Sequence, residues 1–222
     1  MKRVIITGAS GMVGKAVLLE CLDDKRIDQI LLINRKPLGY SHPKVKELLL
    51  ADFIKFSIDE IKETYHACFF CMGVSAVGMS ELEYKSIIFD VTKVFADQLF
   101  KLNPNMVFNY VSGEGADSTE KGKVMWARVK GAAENYVLFK AFKDAYAFRP
   151  GMILPEKGIR SNTKIYNFIY VITRPLFPLF RMMSNVTTTT LFGKGMVNTL
   201  FFPLSEKILH NADINRLALK DL

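Results

Sequence analysis

The sequence predicts an α/β protein: an open, doubly wound parallel sheet with helices on both faces. Two observations predict it. From Lys2 to Arg149, short apolar runs rich in β-branched residues alternate with longer segments of helical periodicity. Parallel neighbours need crossover connections, which helices usually supply. A glycine-rich turn, Gly8 to Gly14, joins the first such strand to the first such helix.

The elements follow in order. Lys2 to Thr7 reads as a strand and Met12 to Leu22 as a helix. Gln29 to Ile33 and Val45 to Leu50 read as the second and third strands, joined by a loop containing Pro and Gly. Ser57-Ile58-Asp59-Glu60 is a capping-box pattern that predicts a helix start. Ala67 to Met72 is a fourth strand. Ser80-Glu81-Leu82-Glu83 is a second capping box, opening a helix that ends near Leu102. Met106 to Ser112 is a fifth strand, Val124 to Phe142 a helix, and Ala145 to Arg149 a sixth strand stopped by Pro150.

After Gly151 the rhythm turns helical or irregular, with a polar run from Asn185 to Thr190 ahead of Leu191 to Phe202. A chain of 222 residues, half of them apolar and 23% charged, suits one globular domain. The expectation is a single domain, 1–222, in which 151–222 forms a small helical cap beside the cleft. The formal charge is +8, and the stretch from Arg160 onward is its most basic part, with 8 Lys/Arg against 3 Asp/Glu. Such a surface attracts phosphates, anionic lipid or nucleic acid without choosing among them.

Ile165 to Met183 is the longest apolar stretch, but Arg174-Pro175 and Pro178 argue against a membrane span. Three cysteines make no disulfide framework, and the opening residues reach glycine too soon for a signal peptide's apolar core. The reading is a cytoplasmic protein. No recognition module accompanies the basic charge, so nucleic acid is not an expected partner.

Gly8-Ala9-Ser10-Gly11-Met12-Val13-Gly14 follows a strand and opens a helix, which makes the spacing informative. The first glycine allows a tight turn, the second lets backbone approach a diphosphate, and the third lets the helix pack closely. Gly8, Ser10, Gly11, Met12, Val13 and Gly14 are therefore candidate dinucleotide contacts. A nucleoside-triphosphatase loop is excluded, because the glycine spacing is wrong and Ala16 offers no hydroxyl to magnesium. Where an acidic residue would hold the ribose of NAD, the second strand ends in Asn34-Arg35-Lys36. Two cations and no carboxylate suit a 2′-phosphate, which favours NADP(H) over NAD(H).

Thr7 to Gly14, Asp52-Phe53, Cys71-Met72-Gly73, Val129-Lys130-Gly131 and Arg149-Pro150-Gly151 occur in this order. Together they resemble the extended and atypical short-chain dehydrogenases/reductases, and most of all a small atypical NADP-binding branch. Val186-Thr187-Thr188-Thr189 also looks like that branch. The resemblance covers almost the whole chain and implies a Rossmann fold. It puts Asp52 near the adenine amino group, Phe53 beside the ring, Cys71 to Gly73 along the ribose, Lys130 on the nicotinamide ribose, and Pro150, Gly151 and Met152 near the nicotinamide. Plainer roles exist for each: Asp52 as a cap, Pro150-Gly151 as a strand terminator.

The sequence departs from this family at its chemistry. The Tyr-x-x-x-Lys pair, in which the tyrosine exchanges a proton with substrate, is matched by Trp126-Ala127-Arg128-Val129-Lys130. An indole N–H donates a hydrogen bond but is no general acid near neutrality. After the fifth strand, Ser112 remains, while Gly113 occupies the position that more often bears the catalytic hydroxyl. Tyr136 and Lys140 repeat the spacing, but ten residues on is about 15 Å along the helix and rotated by about 80°.

Cys68-Phe69-Phe70-Cys71 falls in a strand, where residues three apart face opposite sides, so core packing outweighs metal or redox chemistry. His42, His66 and His210 lack metal-ligand spacing, and no metal is expected.

The expected catalytic residues are thus Ser112 and Lys130. Two functions stay open. One is an NADP-dependent oxidoreductase or epimerase-like enzyme acting on a small carbonyl or sugar-like substrate. The other is an NADP(H)-sensing module with little turnover, presenting its basic cap to a protein partner or membrane surface. The sequence names neither the substrate nor the oligomeric state.

Overall fold

In a computed structural model, the described residues are 1–159, 177–180, 183 and 185–220. Seven parallel strands form one sheet: β1 (Lys2–Thr7), β2 (Ile27–Asn34), β3 (Val45–Leu49), β4 (Ala67–Phe70), β5 (Val107–Val111), β6 (Asp144–Arg149) and β9 (Ile208–His210). Their order, β3-β2-β1-β4-β5-β6-β9, reverses direction at β1. Ligands of open α/β sheets bind outside the carboxyl ends of strands beside such a switch point.

The pleat explains the two-layer core. Val4 and Ile6 face one side with Ala67 and Phe69, while Ile5 faces the other with Cys68 and Phe70. The first side receives α1 (Met12–Asp23), α6 (Thr189–Asn198) and α7 (Asn211–Ala218), through Val17, Phe192 and Ile214. The second receives α3 (Val91–Leu102) and α4 (Met125–Leu138), through Phe95, Leu99, Ala133 and Val137. Strands buried on both faces read as nearly continuous apolar runs, as β1 and β4 do.

Several boundaries differ from the sequence reading. Ser57 caps only a single 3₁₀ turn, Ile58–Glu60, accepting from the Asp59 amide, and no α-helix follows. Ser80 and Glu83 do make their reciprocal box, opening α2 (Glu81–Lys85). A π-helical turn, Ser86–Asp90, then joins α2 to α3, a register change that periodicity does not reveal. Helix α4 stops at Leu138, and Ala141 beyond it takes φ +62°.

The C-terminal part holds more strand than expected. β7 (Met152–Leu154) pairs with β8 (Val186–Thr188), and β9 extends the main sheet. The threonine run supplies β8, whose β-branched side chains suit a strand, and then Thr188 caps α6 by accepting from the Leu191 amide at 3.1 Å. Helix α6 packs on α1 so closely that a Cβ on Gly193 would stand 2.8 Å from the Ala16 carbonyl oxygen.

Residues 186–218 therefore complete the sheet and one helix layer. A four-residue helix, α5 (Phe177–Phe180), precedes them. Four of the basic residues expected in the cap, Arg160, Lys164, Arg174 and Arg181, lie outside the described residues. Among the described residues no helix is long and apolar enough to cross a membrane.

Candidate functional site

The carboxyl ends of β1, β2, β4, β5, β6 and β9 bring Thr7, Asn34, Phe70, Val111, Arg149 and His210 to one edge of the sheet. The glycine turn lies there. Gly8 takes φ +69°, and a Cβ on it would stand 2.7 Å from the Cys71 carbonyl oxygen, so the turn after β1 presses on the chain leaving β4. The Gly11 amide closes the turn onto the Gly8 carbonyl at 2.9 Å. Gly11 is the N-cap of α1, without a side-chain cap and without acidic residues in the following turn. A helix start so arranged offers amide N–H groups and the positive end of the dipole to an anion. Met12, Val13 and Gly14 form that first turn, with Ser10 before it.

Beyond β2, Asn34 is 5% exposed and its backbone carbonyl accepts from the Leu50 amide. Arg35 follows at the surface, with its guanidinium carbon 6.0 Å from the Phe53 ring centre. Asp52 accepts from the Ile54 amide at 3.2 Å, capping the turn that carries Phe53. Its capping role and a place beside an adenine are compatible, since one carboxylate oxygen suffices for the cap. Cys71, Met72 and Gly73 leave β4 beside the glycine turn. Cys71 packs with the α1 layer and Cys68 with the α3 layer, as the strand's alternation requires, and burial pushes both thiols' pKa up.

At the other end of the cleft, Ser112 and Gly113 leave β5 and face α4. Lys130 Nζ donates to the Ser112 carbonyl oxygen at 2.7 Å. A Cβ on Gly113 would come within 3.6 Å of the same nitrogen. Burial pulls the Lys130 pKa down to about 8, against an opposing pull from Glu134, one turn along the helix. Arg149 in turn holds Glu134, its Nε and Nη2 donating at 3.0 and 2.5 Å to a carboxylate that is 0% exposed.

Trp126 stands one helical turn before Lys130, and its ring edge would lie 3.4 Å from a Cβ on Gly115. Arg128 ties this part of α4 to the Gly122 carbonyl at 2.6 Å and to Glu81 of α2 at 2.7 Å. After β6, the Pro150 carbonyl accepts from the Glu114 amide at 3.0 Å, the Gly151 amide donates to Asn211 Oδ1 at 3.3 Å, and Met152 is exposed.

Among the described residues, four buried side-chain polar atoms have no hydrogen-bond partner: Thr7 Oγ1, Asn34 Nδ2, Asn109 Oδ1 and Ser112 Oγ. Three of these, on Thr7, Asn34 and Ser112, lie at or just past the carboxyl ends of β1, β2 and β5. Three such orphans along one edge leave hydrogen-bonding capacity there that a polar ligand can satisfy. With a glycine turn packed backbone on backbone and a first turn of α1 that no side chain caps, the residues present fit a dinucleotide.

The sequence reading gave no role at this site to Thr7, Glu114, Glu134, Arg149, His210 or Asn211. Glu134 had a signal in its i+4 spacing from Lys130. His210 had none, because it meets Glu114 only through the pairing of β9 with β6; its Nδ1 lies 2.8 Å from Glu114 Oε2. Tyr136 is committed elsewhere, its hydroxyl donating to Asp97 at 2.6 Å, and so does not replace the missing tyrosine.

No family profile matches the chain. Among curated proteins it is 27% identical over 179 residues to leucinostatins biosynthesis cluster protein T of Purpureocillium lilacinum, covering 78% of this chain and 63% of that protein. It is 28% identical over 161 residues to protein HTATIP2 of Rattus norvegicus, covering 70% and 64%. The match spans less than two thirds of each relative's length. Among solved structures, MoeE5 in complex with UDP-glucuronic acid and NAD superposes with a TM-score of 0.68 at 14% identity, over 93% of this chain and 74% of that one. The Bordetella bronchiseptica enzyme WbmH in complex with NAD⁺ gives 0.66 at 16%, over 95% and 75%. The chain shares the doubly wound Rossmann fold of these two solved structures.

Proposed function

We propose that this chain binds NADP(H) across the carboxyl edge of its sheet and acts as an oxidoreductase on a small carbonyl or sugar-like substrate, with a proton-donor arrangement of its own. The observation that carries the reading is the glycine cradle of Gly8, Gly11 and Gly14 against the orphaned polar atoms of Thr7, Asn34 and Ser112. The solved neighbours described with NAD share this fold.

In this reading Gly8 to Gly14 holds the diphosphate, and Asn34 and Arg35 hold the 2′-phosphate. Asp52 and Phe53 flank the adenine, and Cys71 to Gly73 border its ribose. Lys130 holds the second ribose, and Pro150, Gly151 and Met152 border the nicotinamide. The cofactor supplies hydride transfer when bound. Ser112 Oγ, buried and unpaired, donates to the substrate oxygen and polarises it, and Trp126 forms an apolar wall that excludes water. With tryptophan at the tyrosine position, the acid contribution of about 10²- to 10⁴-fold in rate must come from another group or from water.

The test is fluorescence titration with NADPH and NADH, using Trp126 as the reporter, followed by NADPH consumption against a carbonyl panel. Binding of neither coenzyme overturns the reading. Trp126 and Gly113 also favour a second reading, a sensing module with little turnover whose basic segment meets a membrane or partner. If NADPH binds tightly, the parent protein turns over nothing and Trp126→Tyr gains activity, the second reading replaces the first. The protein would act in the cytoplasm in either case.

A further inference from the structure

Lys130 is partly buried, and among the described residues no carboxylate pairs with its amine. Among the described residues its one hydrogen bond is to the neutral Ser112 carbonyl. Glu134, the acidic group that acts on it from the same helix, is occupied by Arg149 from β6. The neighbouring Gly113 leaves open the space in front of the nitrogen that any side chain would enter. Beside it, the Ser112 hydroxyl has no partner.

We propose that, in the cofactor-free protein, the Lys130 amine captures small aldehydes as an imine, making this end of the cleft a carbonyl-trapping site. Its place at the nicotinamide end rests on the cofactor reading, whereas the capture rests on the amine's surroundings. The nitrogen lone pair forms a bond to the carbonyl carbon, and one of the two N–H protons passes to the carbonyl oxygen, giving a neutral carbinolamine. The hydroxyl takes up a proton from solvent and leaves as water as the C–O bond breaks, and the iminium returns its remaining N–H proton to solvent to give the C=N product. No electrons are gained or lost. Only the free base attacks, and a lysine with a pKa of about 8 holds much more of it than an exposed lysine of about 10.4. At pH 7.5 the difference is on the order of a hundredfold. A cofactor whose ribose occupies Lys130 competes with the aldehyde, so NADPH protects the amine.

The experiment treats the full chain with acetaldehyde and cyanoborohydride at pH 7.5, which reduces any imine to a stable secondary amine, and maps the adducts by peptide mass spectrometry. Lys130 is expected to react at least about tenfold faster than the exposed Lys121 and Lys123 of the same molecule. Saturating NADPH is expected to slow Lys130 alone. In Lys130→Arg the fast adduct disappears while Lys121 and Lys123 react as before. Lys130 reacting no faster than Lys121 overturns the capture. Parallel NADPH fluorescence separates the two readings: binding without fast labelling sinks only the capture, and fast labelling without binding sinks only the cofactor assignment.

Discussion

Gly14 packs against Gly8 so tightly that a Cβ on Gly14 would stand 2.2 Å from the Gly8 carbonyl oxygen and 2.6 Å from its carbon. Both clashing atoms are backbone, so they cannot swing aside as a side chain would. Gly14→Ala should therefore cost about 1–3 kcal/mol through overpacking and remove NADPH binding by shifting the turn. A Cβ on Gly11 meets only the Gly8 oxygen, at 3.4 Å. Gly11→Ala should stay within about 1 kcal/mol in stability, the small loss coming from a poorer N-cap, yet weaken NADPH binding by facing the diphosphate. Urea denaturation and NADPH titration of both variants check this, and equal stability losses would show that the two glycines do not divide their work in this way.

In the proposed NADP(H) reading, Arg35 sets the coenzyme preference. It leaves β2 just after the buried Asn34 and lies over Phe53, with no carboxylate at the end of the strand to repel a 2′-phosphate. Arg35→Ser should weaken NADPH by about tenfold, the loss of one charge-assisted contact, and change NADH by less than about twofold. The wild-type advantage for NADPH should also shrink with added salt. An unchanged NADPH/NADH ratio in the variant would remove Arg35 from the 2′-phosphate.

The local parts of this architecture were readable because local chemistry specifies them. β1, the glycine turn, the Ser80 box and the opposed faces of Cys68 and Cys71 all follow from spacings of a few residues. The features that depend on distant pairing were not. β9 is three residues long, and what makes it a strand is the free edge of β6, where Arg149 is paired with His210. Ser57 carries the same pattern as Ser80, but only one 3₁₀ turn follows it before the chain enters β4. At the candidate site, the glycines were proposed from their spacing, and Lys130 and Ser112 from the family resemblance. The orphaned Thr7 hydroxyl and the Arg149–Glu134 pair emerge only when the strand ends are brought together.

The Glu134–Arg149 pair fastens α4, and hence Lys130, to β6. Glu134 is fully buried, and Arg149 also reaches Ser118 Oγ at 2.5 Å. Arg149→Met leaves the carboxylate buried without its cation and should cost about 3–5 kcal/mol. Replacing both residues, Glu134→Leu with Arg149→Met, should recover most of that loss, because no charge is then stranded. A double variant as unstable as the single one would place the loss in packing rather than in the pair, and thermal unfolding of the set decides it.

Asp97 of α3 makes the fold sensitive to acid. Its partial burial acts to raise the carboxyl pKa, but hydrogen bonds from Lys140, Lys93 and Tyr136 outweigh it and pull the value down to about 2. The Tyr136 hydroxyl lies at 2.6 Å and the Lys93 amine at 2.9 Å. Because the folded value is below the unfolded one of about 3.9, the unfolded chain binds the proton first as pH falls. The contribution is whole above about pH 4 and is lost as pH drops toward 2. Solvent reaches the side chain, which is 26% exposed, so the term is discounted to about 1 kcal/mol. Asp97→Asn should lose that amount at pH 7 and show a shallower fall in urea midpoint between pH 5 and 2 than the parent. Identical slopes for the two proteins would place the acid sensitivity in other carboxylates.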